Sequence, residues 1–248
     1  MVRKFDVVLF DLGSTLLYFD GIFPTVMAQA DLRLFQSLVG LGYLLDPHDF
    51  IPIFRTGLHE YFHQRDVDFI EHTVEAVLRI TLAGAGYPNI PPEHTRAALR
   101  QMYAVTETYW KREDDALPAL AELSRQGHRL GLISNAADAD DVRNMLQQHQ
   151  LAAWFEQVLI SAEVGYRKPH PHIFQLALDF FAVSPERVVM VGDKLGTDVL
   201  GAQNLGLASV WITRRIHRAD ILAHEDSIRP DASIDTLAEL PVLLGNWK

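Results

Sequence analysis

Residues 6–16 read DVVLFDLGSTL, a short apolar run closed by an aspartate and followed by small turn-forming residues. An apolar β-branched run of this length reads as a buried strand. It has four counterparts, Arg129–Ile133 (RLGLI), Val158–Ile160 (VLI), Val188–Val191 (VVMV) and Ser209–Ile212 (SVWI). Between them the spacing predicts helices over Leu117–Gln126, Asp140–Gln150, Pro171–Phe181 and Thr197–Leu205, with Gly127 and Gly206 at expected C-terminal caps. Near-continuous apolar strands alternating with helices predict an α/β fold, a parallel sheet covered on both faces. The tail from Arg229 (RPDASIDTLAEL) adds a final short strand and helix.

Between the first strand and this regular block lies a region of another kind. Residues 18–113 show helical periodicity over Met27–Leu38, Phe50–Phe62, Phe69–Leu82 and His94–Trp110, without a convincing strand. Gly40, Gly42, Pro47 and the 84–92 segment punctuate it. The expected organisation is a catalytic core of residues 1–17 and 114–248, interrupted by an all-helical insertion of residues 18–113.

In an open parallel sheet, ligands bind beyond the carboxyl ends of the strands. The polar residues there are Asp11 after the first run, Ser134-Asn135 after the second, Lys168-Pro169 beyond the third, and Asp193 after the fourth with Asp198 five positions later. A carboxylate can attack phosphorus to give an acyl phosphate. Because carboxylate and phosphate repel, a cation must bridge them, and hard oxygen ligands such as Asp11 and Asp193 suit Mg²⁺. Lys168 would supply positive charge, and the Ser134 hydroxyl would hydrogen-bond phosphoryl oxygens in the transition state.

FDLGSTL, LISN, the YRKP loop and VGDKLGTDVLGA together resemble, in order, the four motifs of the haloacid dehalogenase superfamily. The resemblance covers the whole chain. It implies a Rossmann-like, doubly wound core, an α-helical cap inserted after the first motif, and Mg²⁺-dependent hydrolysis of a small-metabolite phosphomonoester. Carried over by position, Asp11 is the nucleophile and a metal ligand, Lys168 stabilises charge, and Ser134 with Asn135 binds phosphate. Asp193 is a metal ligand, Asp198 a metal-shell or loop-ordering acid, and the Gly13 carbonyl a further ligand.

The sequence departs from that pattern at Gly13. Phosphatases of the superfamily usually carry an aspartate there, which protonates the leaving oxygen and then activates water. Loss of such a group costs about 10²–10⁴-fold in rate. A phosphatase would then need its acid from the cap, from Asp198 or from water, or a substrate with a good leaving group. Metal-independent 2-haloacid dehalogenation needs no acid, but the pair Asp193 and Asp198 argues against it. The lack of lysine between Leu17 and Trp110 argues strongly against phosphonate cleavage through a cap lysine. The alternative of another class is a non-catalytic protein that binds metal or phosphate.

Each residue also has a plainer reading. Asp11, Ser134 and Asp198 could cap turns or helices, and Lys168 could be a solvated loop lysine. His59-Glu60-Tyr61-Phe62-His63 matches the zinc-protease pattern H-E-x-x-H, but eleven histidines make chance matches common, and a surface or domain-facing helix explains it better. Tyr18, Arg55, His63 and Arg65 could reach a substrate, although each is ordinary as a packing or surface residue. Trp110, Trp154 and Trp211 read as core or interface residues.

The bulk properties restrict the remaining classes. The chain has 248 residues, 48% of them hydrophobic and 22% charged, enough for a substantial core. A net charge of −10 without any basic run disfavours nucleic acid and anionic membranes as partners. With no cysteine, disulfides, a thiol nucleophile and Cys-ligated metals are excluded. No apolar run could span a bilayer, so a cytoplasmic protein acting on a small phosphorylated metabolite is expected. Oligomeric state leaves no signature.

Overall fold

A computed structural model describes residues 4–215 and 227–247. The central sheet has six parallel strands: β1 (Val7–Phe10), β4 (Arg129–Ser134), β5 (Gln157–Ile160), β6 (Val188–Gly192), β7 (Ala208–Ile212) and β8 (Ala232–Ile234). Their order is β5-β4-β1-β6-β7-β8. In sequence rank among the six this is 3-2-1-4-5-6, the doubly wound Rossmann arrangement. β1 lies centrally between β4 and β6, so the point where the winding reverses falls at the end of the first strand.

Strand alternation decides what each face buries. Val8 and Phe10 point into a cluster with Leu120, Leu132, Val142 and Leu240. That face is covered by α5 (Ala116–Arg125), α6 (Ala139–Gln148) and α10 (Leu240–Gly245). Val7 and Leu9 point the other way, onto α8 (Pro171–Phe181) and α9 (Leu200–Asn204), through Ile173, Phe174, Ala177 and Ala202. All four β1 residues are buried, so the strand reads as an uninterrupted apolar run. Gly127 and Gly206, the expected C-terminal caps, adopt φ of +88° and +78°.

The insertion forms α1 (Phe23–Gly40), α2 (Pro47–Asp68), α3 (Val74–Gly84) and α4 (Pro92–Glu107). Asp46 caps α2 by accepting from the His48 N–H at 2.7 Å. Thr73 caps α3 by accepting from the Ala76 N–H at 3.1 Å. The helix expected from Phe69 therefore begins later, at Val74, because Phe69 takes a left-handed conformation that ends α2. Leu34, Phe54, Leu78 and Leu99 give these helices a hydrophobic cluster of their own.

The expectation that residues 18–113 hold no strand fails at both ends. β2 (Leu17–Phe19) and β3 (Trp110–Arg112) pair antiparallel, with Phe19 opposite Trp110. Each is only three residues long and shows no alternation to betray it. Through this ribbon the chain leaves and rejoins the sheet.

A second junction joins the helices to the core. The Phe69 carbonyl accepts from the Arg167 N–H at 3.0 Å, and the Gly165 carbonyl accepts from the Glu71 N–H at 3.0 Å. Glu71, buried, also accepts from the Ser161 hydroxyl at 2.6 Å and from Tyr61. Ser161 opens the short helix α7 (Ser161–Val164) that follows β5. A third contact sets Glu107 of α4 between Arg100 and Gln148, beside Asp141 of α6.

Burial, then the neighbouring Glu107 and Asp138, hold the Asp141 carboxyl well above the usual carboxylate range. An acid raised in the fold favours folding only while it stays protonated, so its contribution falls as pH climbs above its unfolded value of 3.8. The expected outcome is that Asp141→Asn raises the melting temperature at pH 7 to 8 and that this gain vanishes near pH 4. Thermal unfolding of both proteins across that range checks it; an equal gain at every pH would refute the charge argument.

Candidate active site

The structure brings four sequence-expected residues into one place beyond the strand ends. Asp11 follows β1 and is held there by its N–H, which donates to the Val191 carbonyl at 2.9 Å. Lys168 comes from the loop after α7 and reaches under it. Its Nζ donates to Asp11 Oδ1 at 2.6 Å and to the Ile133 carbonyl at 2.7 Å, and pairs with Asp198 Oδ1 at 2.7 Å. Only 1% of Lys168 is exposed, so these three acceptors stand in for water.

Asn135 fixes that lysine. Its carboxamide oxygen accepts from the Lys168 N–H at 2.8 Å and its amide donates to the Lys168 carbonyl at 2.9 Å. The Asn135 side chain is thus engaged on both sides with the lysine backbone. Ser134 is buried at the end of β4.

Asp193 follows β6, and the Trp211 indole N–H donates to its carbonyl at 2.8 Å. The sequence reading made Trp211 a packing residue; in the fold it steadies the second acid of the site. No local signal reveals this, because the contact spans neighbouring strands. Asp198 lies in a π-helical turn, Leu195–Val199, and its Oδ2 accepts from the Lys194 N–H at 3.0 Å. Gly192 makes room for it, since a Cβ there would stand 2.4 Å from the Asp198 carboxyl carbon. Asp198 thus orders the loop and pairs with Lys168, and with both oxygens engaged it is not free to protonate a leaving group.

Asp11, Asp193 and Asp198 each offer a carboxylate oxygen within 4.8 Å of the others. Three carboxylates crowd one buried ammonium, with only the exposed Lys194 as a further cation beside them, so the buried space is short of positive charge. The crowding is visible in their acidities. Burial, then Asp11 and Asp198, push the Asp193 carboxyl up to about 8. Burial and Asp198 raise Asp11 against the pull of Lys168. Lys168 is lowered by burial, yet the two carboxylates outweigh this and keep it charged. An all-oxygen, charge-deficient cluster is what a hard divalent cation fits.

Gly13 lies in the turn after Asp11, where Ser14 adopts φ of +61° and donates its N–H to the Leu17 carbonyl at 2.6 Å. A Cβ built on Gly13 would meet the Trp110 ring at 3.5 Å.

The other candidates lie elsewhere. Arg55 is bound to buried Asp31, and Arg65 faces Glu71 at 3.6 Å and covers the Phe62 ring at 4.2 Å. The Arg215 guanidinium sits 4.0 Å over the Tyr18 ring. His59, Glu60 and His63 are exposed on α2, and among the described residues no metal-holding cluster includes them. The H-E-x-x-H match is therefore a surface helix.

A family model described as haloacid dehalogenase-like hydrolase matches residues 5–206. The chain belongs to this family. Among its relatives is a glyceraldehyde 3-phosphate phosphatase of Pyrococcus furiosus, 29% identical over 210 residues, which are 85% of this chain and 81% of the relative. A solved family phosphatase from Thermococcus onnurineus superposes with a TM-score of 0.67 at 26% identity, covering 97% of this chain and 98% of that one. A 2-haloacid dehalogenase from Pseudomonas syringae pv. Tomato reaches the same TM-score at 23% identity, covering 98% and 100%, and shares the fold. The chain is a hydrolase of that fold, and no helix among its described residues is long and apolar enough to cross a membrane.

Lys168→Met should leave Asp11 and Asp198 facing each other without a counter-charge, a change that costs about 3–5 kcal/mol when a buried ion pair loses one partner. Urea unfolding is expected to show that loss, and Asp198→Asn added to it should restore part. No recovery in the double variant would mean the lysine acts by packing alone.

Proposed function

We propose that this hydrolase is a phosphatase that cleaves a small-metabolite phosphomonoester through a phospho-Asp11 intermediate. The observation that carries the reading is the clamp of Lys168 on Asp11 beside Asp193 and Asp198. Lys168 holds Asp11 Oδ1 and so fixes the rotamer of the nucleophile, while its positive charge offsets the repulsion between that carboxylate and the phosphate. Ser134 and backbone N–H groups after Asp11 donate to phosphoryl oxygens, and Asn135 keeps Lys168 in register. Relatives named as phosphatases support the reaction class.

A divalent cation, in our reading Mg²⁺, would be held by Asp11, Asp193 and the Gly13 carbonyl, with Asp198 behind them. When bound it supplies the positive charge that the cluster lacks and draws electron density from the phosphoryl oxygens. Residues 18–113 act as the cap that covers the site and excludes water, with the ribbon β2–β3 as its stem.

One observation favours a second reading. Gly13 carries no acid, which suits loss of halide from a 2-haloacid, although a third carboxylate, Asp193, crowded beside Asp11 and Asp198 is better explained by a bound cation.

The test is phosphate release from a panel of sugar, amino-acid and aryl phosphates with Mg²⁺ and with EDTA. Activity should vanish with EDTA, return with Mg²⁺, and fall at least about 10³-fold in Asp11→Asn, as for loss of a covalent nucleophile. Activity persisting in EDTA or in Asp11→Asn overturns the mechanism. Halide release from a 2-haloacid without metal would establish the second reading, and cation binding with no turnover of either substrate class would leave a binding protein.

A further inference from the structure

The phosphatase reading leaves open which ester fits, and the surroundings of Gly13 narrow the choice. In a superfamily phosphatase of the usual pattern, the side chain two positions after the nucleophile protonates the leaving oxygen. At that position the side-chain direction is taken up by an indole. Among the described residues, its chain neighbours aside, the atoms within 4 Å of a Cβ built on Gly13 are Cη2 and Cζ3 of Trp110, at 3.5 and 3.8 Å.

Trp110 is firmly placed. It sits on β3 opposite Phe19 of β2, and the two rings meet edge to face at 5.4 Å and 76°. Phe19 stacks on Tyr109 at 5.9 Å and touches Phe23 at 5.5 Å. At the outer end Ile22 and Phe23 stand 74% and 59% exposed, unusual for large apolar side chains at a helix start. A continuous aromatic wall thus runs from the turn behind the nucleophile to solvent. Asp198, the alternative acid, has both oxygens engaged and is 1% exposed.

Resting on the phosphatase reading, we propose that Trp110 is a specificity-determining residue that selects phosphate esters with a flat, apolar leaving group acidic enough to depart as its anion. Aryl phosphates are the simplest members of this class. An Asp11 carboxylate oxygen bonds to phosphorus while the bond from phosphorus to the aryl oxygen breaks, and its electron pair stays on that oxygen. No proton is delivered, and none is needed by an acidic phenol. The ring of the leaving group lies against the indole, where stacking and apolar contact replace the hydrogen bond that an acid would give. In the second step water attacks phosphorus, the bond from phosphorus to Asp11 breaks to return the carboxylate, and the proton leaves with phosphate or solvent. An alkyl ester gains neither from the wall nor from an acid, and its alkoxide leaves poorly.

The experiment measures kcat and KM with Mg²⁺ for 4-nitrophenyl phosphate, phenyl phosphate and glycerol 3-phosphate. The wild-type protein, Trp110→Ala and the double variant Gly13→Asp with Trp110→Ala are compared. In the wild type, kcat/KM should fall by about 10²-fold or more from nitrophenyl to phenyl phosphate and further for the alkyl ester, the size of an absent general acid. Trp110→Ala should raise KM for the aryl esters about tenfold while kcat stays within about threefold, the mark of lost leaving-group contact. The double variant should gain about 10²-fold in kcat on glycerol 3-phosphate and little on nitrophenyl phosphate. If the wild type handles alkyl and nitrophenyl esters within about threefold of each other, the selection by Trp110 is refuted and the phosphatase reading stands. Turnover of none of the three esters by folded wild type that hydrolyses a sugar or amino-acid phosphate refutes the selection and keeps the phosphatase reading; turnover of no ester of either set removes both. Should Trp110→Ala not fold, the wild-type leaving-group dependence decides alone.

Discussion

An ammonium group with almost no exposure is tolerable only when hydrogen bonds and opposite charge replace water, and Lys168 meets that condition with two hydrogen bonds and an ion pair from three different parts of the fold. Asp11 arrives from β1, the Ile133 carbonyl from β4, and Asp198 from the turn after β6. Bringing those three to one point requires β1 to stand between β4 and β6, with all three strands ending at the same edge. The buried cation and the strand order therefore presuppose each other. Remove the order and the acceptors disperse; remove the cation and the carboxylates repel across an interior poor in water. The surrounding details serve the same end. Gly192 yields its volume to Asp198, Asn135 grips the lysine main chain, and Trp211 steadies Asp193.

Much of this was legible in the sequence because it is written in local signals. Apolar runs buried on both faces announce a parallel sheet, and the strand ends then fall at definite residues, which is why Asp11, Lys168, Asp193 and Asp198 could be named together. Other parts carry no local signal. β2 and β3 are three residues each, and they exist because two distant segments meet. The hold of Asn135 on the lysine backbone has no local signal either, because its partner lies 33 residues away. Trp211 and Trp110 both read as packing residues, since an indole's tertiary neighbours cannot be inferred from spacing. The H-E-x-x-H pattern erred in the opposite direction: a strong local motif with nothing in the fold to complete it.

Gly13 shows how a missing side chain can be as informative as one present. The position is not cramped: a Cβ would make ordinary contact with the Trp110 ring. What the glycine leaves is an aromatic surface facing the turn beside the nucleophile with no acid between them. The consequence is a site with strong charge on the phosphate side, from Lys168 and the carboxylate cluster, and an apolar surface two residues on. Such polarity suits an ester whose two halves differ sharply in character.

The loop that presents Lys168 has a second attachment. Residues 165–167 pair with residues 69–71, joining the turn between α2 and α3 to the backbone one residue before the lysine, and Glu71 anchors that turn to Ser161. The hydrogen bonds that seat the helical layer on the core and those that set the main chain beside Lys168 are thereby the same ones, so the placement of the nucleophile's counter-ion is tied to a part of the chain about a hundred residues earlier.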